Sequence, residues 1–239
     1  MRVGAALLVL LALAGCGGDA EEPPPAVGLR AAAGAPAPGA AEVFGRFLDA
    51  AGRGDATGMW ALLSEPTRAS LGPDADRFRD SAALDLEELA GSFVRPPRIV
   101  LSRAFGPRWA VVAVAGEVER DGEREAAAYA AALRREERGW RLELDGVFFV
   151  GHRPSPLEEL EERTPPMGAT AQSSARIERM VIWLDGEPVG ARAVRPQPFT
   201  GEITARAAAP LEPGVHVVTV FAATDDTAAA QAWPFVVER

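Results

Sequence analysis

Apolar residues recur with the period of an α-helix in the first folded part of the chain. Order is predicted to begin at Glu42 with a helix whose buried stripe is Val43, Phe44, Phe47, Leu48 and Ala51. Asp55 is placed to cap a second short helix that ends before Pro66, and one further turn follows. A longer third helix is predicted from the shared face of Phe78, Ala82, Leu86, Leu89 and Phe93.

The apolar period then changes from 3.6 to 2, which indicates strands. Four strands are predicted, over residues 99–105, 109–119, 123–136 and 140–150. Asp121-Gly122 between two of these runs is typical of a tight hairpin turn, because both central residues of that turn favour positive φ. The sequence therefore predicts an antiparallel meander that follows the helices.

The last third of the chain has strand patterns only. Strands are predicted over residues 177–184, 199–207, 215–222 and 230–237. Turn residues separate them, namely Asp185-Gly186, Pro213-Gly214 and Asp225-Asp226. Short strands at this spacing predict a small β-sandwich.

The first sixteen residues have the pattern of an export signal. Arg2 precedes an apolar run, Val3 to Ala14, that is too short to span a bilayer. The end of the run, Leu13-Ala14-Gly15-Cys16, resembles the lipobox of bacterial lipoproteins, which implies cleavage after residue 15 and a lipid on Cys16. The alternative is an ordinary signal peptide that happens to end beside a cysteine. Residues 16–40 are rich in Gly, Ala and Pro, and they are predicted to form a disordered tether.

Two phrases in the helical part of the chain are characteristic, one from Phe47 to Asp55 and the next from Trp60 to Ser64. Through these phrases, residues 41–152 resemble the nuclear-transport-factor-2-like (SnoaL-like) family. This resemblance implies a cystatin-like cone, in which helices pack on a curved antiparallel sheet. Enzymes of this family place Asp, His or Tyr in an apolar cavity for acid–base chemistry.

After a linker over 153–166, the chain contains a hairpin around Asp185-Gly186 and the phrase Leu211-Glu212-Pro213-Gly214-Val215-His216. Through these features, residues 167–239 resemble bacterial immunoglobulin-like modules. The predicted fold class is therefore α+β, a cone domain followed by an all-β immunoglobulin-like sandwich.

Charge and cysteine content exclude several classes of protein. The net charge of −9 repels phosphate backbones and no Lys/Arg cluster offsets it, so nucleic acid is not an expected partner. The single cysteine is assigned to lipid, which leaves none for a disulfide. The five tryptophans lie within periodic apolar runs and are predicted to be core residues.

Residues with chemical potential are few. Tyr129, the only tyrosine, lies among six alanines, which indicates either a cavity beside a phenol or a strand tightly covered by helices. His152 and His216 are isolated, and a zinc site lacks ligands. Asp225 and Asp226, with Asp185, are an alternative calcium site, although acids in turns are usually only solvated.

These observations predict a lipoprotein anchored on the extracytoplasmic face of the cell membrane. We expect it to bind an envelope protein or polymer without catalysis, so that no catalytic residue, metal ligand or cofactor is assigned. The alternative is that the first domain binds a small apolar ligand, with Tyr129 as the polar contact, or acts as an isomerase or lyase.

Overall fold

A computed structural model describes residues 35–72, 74–80, 93–120, 122–197 and 199–238. The predicted signal peptide (1–15), Cys16 and most of the predicted tether lie outside the described residues. Residues 81–92 of the predicted third helix lie outside them as well.

Four short helices precede the long strands in the described part of the chain. They are α1 (Ala40–Gly52), α2 (Ala56–Leu62), α3 (Glu65–Leu71) and α4 (Ala75–Asp80). The predicted cap of α2 is confirmed, because Asp55 Oδ1 accepts a hydrogen bond of 2.8 Å from the backbone N–H of Gly58. Ser64 caps α3 in the same way, through the N–H of Thr67.

The first sheet follows the chain in a simple order. Its strands are β1 (Ala35–Pro36), β2 (Arg98–Phe105), β3 (Trp109–Arg120), β4 (Glu123–Glu136) and β5 (Gly139–Glu143), all antiparallel to their neighbours. Three of the four strands predicted for this region are confirmed nearly residue for residue. The fourth, predicted over 140–150, is divided after Glu143, and its second half joins another sheet.

Two further sheets contain the remaining strands. The central sheet has the order β10 (Glu187–Pro188), β9 (Arg179–Leu184), β13 (Gly214–Ala223), β14 (Ala228–Val237) and β7 (Glu159–Leu160). The outer sheet has the order β11 (Ala191–Gln197), β12 (Thr200–Arg206), β8 (Pro166–Ser173) and β6 (Val147–Arg153). The central sheet packs on the outer sheet through a core that includes Ile182, Val220 and Ile203.

The sheets and helices form four stacked layers. One face of the first sheet packs against the helices, through residues such as Phe47 and Leu133. Its opposite face packs against the central sheet, where Trp109 and Val111 meet Trp183 and Phe221. The central sheet is therefore buried on both faces, and so is most of β3, whose residues from 109 to 115 are all buried.

The expected fold class is wrong. The structure is mostly β, with three sheets and four short helices in the described residues, and it does not form a helix-on-sheet cone followed by a separate sandwich. An antiparallel sheet that packs against helices on one face commonly has its other face in solvent. Here the second face of the first sheet is covered by the central sheet, because β3 and β4 carry apolar residues on both sides.

A polar cluster also joins the first and central sheets. Glu143, 2% exposed, accepts hydrogen bonds from Arg134 Nε and Nη2 at 2.8 and 3.1 Å. Arg134 also donates to the backbone oxygen of Asp226 in the β13–β14 turn, and Arg108 forms an ion pair of 3.2 Å with the Asp226 carboxylate. Both guanidinium groups lie over the ring of Trp109.

Candidate functional site

A recess of about 390 Å³ lies beside β4, between the helical layer and the central sheet. We call it the β4 recess. Its lining comes from α1, from the ends of β3 and β5, from β4, from the segment before β7 and from β14. The residues are Phe44, Phe47, Leu48, Arg120, Glu125–Ala131, Leu142, Leu144, Pro156, Leu157 and Gln231–Pro234. Its volume lies in the range typical of sites for small ligands.

Helix α1 forms one wall of the β4 recess. Phe44 and Phe47 are buried in the core between α1 and the first sheet, and Leu48 lies at its margin. These residues belong to the stripe that the 3.6-residue period predicts. The apolar face that stabilises α1 on the sheet therefore also supplies an apolar wall to the recess.

The alanine-rich part of β4 forms the floor. Because β5 pairs only with residues 132–136, residues 123–131 have no strand beside them on this edge among the described residues. Ala127 and Ala131 are buried, as are Ala128 and Ala132, which pack in the core shared with the central sheet. The sequence left two interpretations of these alanines open, a cavity or close packing. The structure shows both: the two faces of β4 are closely packed, and a recess follows its unpaired edge.

The central sheet and the segment before β7 form the opposite wall. Pro234 lies within β14, and its carbonyl oxygen accepts a hydrogen bond of 2.8 Å from the N–H of Leu157. Leu157 has φ of 62°, a conformation that costs a residue with a Cβ about 1–2 kcal/mol. Such strain occurs often at functional sites, and here it accompanies a half-exposed apolar side chain at the recess.

Tyr129 lies at the β4 recess. Its ring is half-buried and meets the ring of Phe93 edge-on, with 5.5 Å between the centroids. Burial raises the pKa of Tyr129 above its ordinary value of 10.0; the nearby Arg120 lowers it and Glu125 raises it. The hydroxyl forms no hydrogen bond with any described residue.

The charged groups of the recess neutralise each other. Arg120 Nη1 lies 2.8 Å from Glu125 Oε1, and the two belong to the adjacent strands β3 and β4. Two further polar side chains of the described lining also have partners. Gln231 Oε1 lies 2.8 Å from His152 Nε2, and Trp233 Nε1 donates a hydrogen bond of 2.8 Å to the oxygen of Pro154. Among the described residues the recess thus combines apolar walls, a phenol without a hydrogen-bonding partner and an ion pair in place of isolated charges, which suits the binding of an uncharged, largely apolar ligand.

The other candidate residues have structural contacts elsewhere. His152 packs edge-on against Trp233, with 4.7 Å between the ring centroids. His216 Nδ1 lies 2.7 Å from Asp185 Oδ2, and its Nε2 lies 2.7 Å from the oxygen of Glu212. These contacts hold the start of β13 against the β9–β10 turn.

The acids considered for calcium do not come together. Asp185 is held by His216 and by the N–H of Val217, whereas Asp226 pairs with Arg108. In the part of the chain that the structure describes, no group of three or more His, Cys, Asp or Glu is arranged to hold a metal ion.

Four of the five tryptophans are buried, as predicted, while Trp60 is half-buried. Sequence reasoning missed the contributions of Leu157, Arg120 and β14 to the recess. One signal was available, since a proline within a strand, here Pro234, indicates an edge strand.

Comparisons with known proteins leave the family open. No protein-family model matches the chain, and a comparison with curated proteins finds no similar sequence. Within the described residues, no helix has the length and apolar character needed to cross a membrane.

Proposed function

We propose that this protein is a lipid-anchored binding protein on the extracytoplasmic face of the membrane, and that its ligand occupies the β4 recess without being converted. The anchoring part of this proposal is supported by the sequence pattern that ends at Cys16, and the binding part by the recess itself, with apolar walls from three parts of the fold. Its charged groups, Arg120 and Glu125, are already paired with each other. The geometry favours retention of an apolar group over acid–base chemistry.

The binding proposal is tested with the uncharged fluorescent probe N-phenyl-1-naphthylamine. We expect saturable enhancement of its emission by the wild-type protein. Ala126→Phe fills the recess and is expected to weaken probe binding at least tenfold. Arg124→Phe adds the same ring to the same strand outside the recess and serves as the matched control. Equal binding by both variants would place the probe elsewhere and refute the proposal.

A small apolar molecule that hydrogen-bonds to Tyr129 is a second candidate ligand. The free hydroxyl of Tyr129 favours it, because a partly buried hydroxyl gains by acquiring a partner. A thermal-shift screen with apolar alcohols and ketones tests this candidate. A response that Tyr129→Phe leaves unchanged would remove it.

The anchoring proposal depends on Cys16. In bacterial cells we expect the wild-type protein to incorporate labelled palmitate and to sediment with membranes. The Cys16→Ser variant should neither incorporate palmitate nor sediment with membranes. If its labelling and sedimentation match those of the wild type, lipid attachment at Cys16 is contradicted.

A further inference from the structure

The backbone of β4 presents an ordered set of hydrogen-bonding groups to the recess. The N–H of Arg135 donates to the oxygen of Arg108 at 2.7 Å, and the pairing of β3 with β4 continues without a shift from Trp109 to Arg120. In an antiparallel pair, alternate residues bond to the same neighbour. The backbone N–H and C=O groups of odd-numbered residues in β4 therefore bond to β3, and those of even-numbered residues point to the other edge of the strand.

Pairing with β5 agrees with this assignment. Even-numbered residues 132, 134 and 136 lie opposite β5, in a hairpin closed by the pair Glu136 and Gly139. Beyond the end of β5, the N–H and C=O groups of Ala126, Ala128 and Ala130 face the recess. None of them has a hydrogen-bonding partner among the described residues, and all three residues line the recess.

Strand β14, at the opposite wall of the recess, has fewer backbone groups without a hydrogen-bonding partner among the described residues. The backbone groups of β14 that point away from β13 belong to its even-numbered residues, because the N–H of Val236 donates to the oxygen of Glu158. Pro234 has no N–H, and its carbonyl already accepts from Leu157. Only Ala232 remains there, so β4 is the edge that can bind an extended backbone.

A strand added to β4 would find apolar surroundings on both of its faces. Side chains of a strand alternate between two faces. Here one face would meet Phe44 and Leu48 of α1, and the other would meet Leu157 and Ala232. Because Arg120 and Glu125 neutralise each other, the described lining of the recess offers no unpaired charge for a charged peptide to match.

We infer that the ligand of the β4 recess is an uncharged, apolar peptide segment of another protein, added in extended conformation to the free edge of β4. This inference rests on the proposed function and names its ligand class. The backbone groups of Ala126, Ala128 and Ala130 supply the hydrogen bonds, and the two apolar walls select small aliphatic side chains.

The test uses the acetylated and amidated pentapeptide Val-Ala-Val-Ala-Val as probe. Binding is followed by displacement of N-phenyl-1-naphthylamine and by amide hydrogen exchange. In the free protein we expect fast exchange at Ala126, Ala128 and Ala130 and slow exchange at Ala127 and Tyr129. The peptide should slow exchange at the three even positions at least tenfold.

Methylation of the peptide amides provides the matched control. One peptide carries N-methyl groups on residues 1, 3 and 5, and the other on residues 2 and 4. Because only one set of amides faces β4, one peptide should lose affinity at least tenfold while the other binds. Ala126→Pro, which removes one outward N–H without breaking a bond to β3, should weaken binding about fivefold or more, whereas Arg124→Pro, at the next outward-facing position of the strand and outside the recess, should not.

The outcomes separate the inference from the proposed function. If the naphthylamine probe binds the recess but the peptide neither displaces it nor protects the even amides, the ligand is a small molecule and the inference is overturned. If neither binds, the proposed function fails as well. Protection of the same amides without peptide, together with a dimer in sedimentation, assigns the edge to a second copy and also overturns the inference.

Discussion

Thr219 provides a direct test of how the central sheet is packed. It lies in the middle of β13, is fully buried, and its hydroxyl has no hydrogen-bonding partner among the described residues. Burying an unpaired hydroxyl costs about 1–3 kcal/mol. Thr219→Val keeps the branched shape and removes that cost, so we expect the free energy of unfolding to rise by about 1–2 kcal/mol. For a chain of this size that corresponds to a Tm increase of about 3–6 °C.

Thr224 is the matched control, because it is equally a buried threonine at the end of the same strand. Its Oγ1 accepts hydrogen bonds from the N–H groups of Thr227 at 2.9 Å and Asp226 at 3.2 Å. Thr224→Val should therefore lower the stability by about 2 kcal/mol, since two amides lose their acceptor. The Tm of both variants, measured by calorimetry against the wild type, tests these two predictions. A fall in Tm for Thr219→Val would show that its hydroxyl is satisfied and that the reasoning is wrong.

Three further predictions concern the contacts between layers and the recess. Glu143→Gln leaves the largely buried Arg134 without its carboxylate and should reduce the free energy of unfolding in urea by about 3–5 kcal/mol; a loss below 1 kcal/mol would contradict this. Gly186→Ala should destabilise by about 2–5 kcal/mol in the same assay, because φ is +84° and a Cβ would lie 2.1 Å from the oxygen of Val100. Tyr129, as the only tyrosine, can be titrated by absorbance at 295 nm, and burial should place its pKa above 10.0. Because folding favours the neutral form of the Tyr129 phenol, its contribution to the free energy of unfolding is present below pH 10 and is lost as the pH rises through the pKa of the folded protein. The Tyr129→Phe variant should therefore lose less stability than the wild type over the same pH range.

Local sequence signals predicted most strands and the first two helices, but they did not predict how the sheets stack. The periodicity of α1 and the Asp55 cap depend on neighbouring residues, so the sequence contains them directly. The run from Trp109 to Ala115 also contained a signal for stacking, because seven consecutive apolar residues indicate a strand covered on both faces. The prediction of a cone followed the family resemblance and did not use this apolar run.

The division between β5 and β6 shows a second limit. The segment from Trp140 to Val150 alternates well enough to resemble one strand, yet Asp145-Gly146 is also a turn signal. Gly146 has φ of +89°, and a Cβ there would lie 2.5 Å from Thr227 Oγ1. The chain passes so closely against the β13–β14 turn that no side chain fits at this position, which lies in the break between β5 and β6. That contact joins residues 81 positions apart, which no local pattern predicts.

The short length of β5 is what creates the candidate site. Had the strand continued as predicted, it would have covered the even-numbered amides of β4 and filled the edge beside Tyr129. Because the chain leaves the first sheet after Glu143 and joins the outer sheet as β6, residues 123–131 of β4 remain without a partner strand in the described structure. The same crossing brings Leu157 and β14 against this edge. The recess therefore depends on both halves of the chain. The hydrogen bond from Arg134 to the backbone oxygen of Asp226 holds the β13–β14 turn, from which β14 begins, against the first sheet.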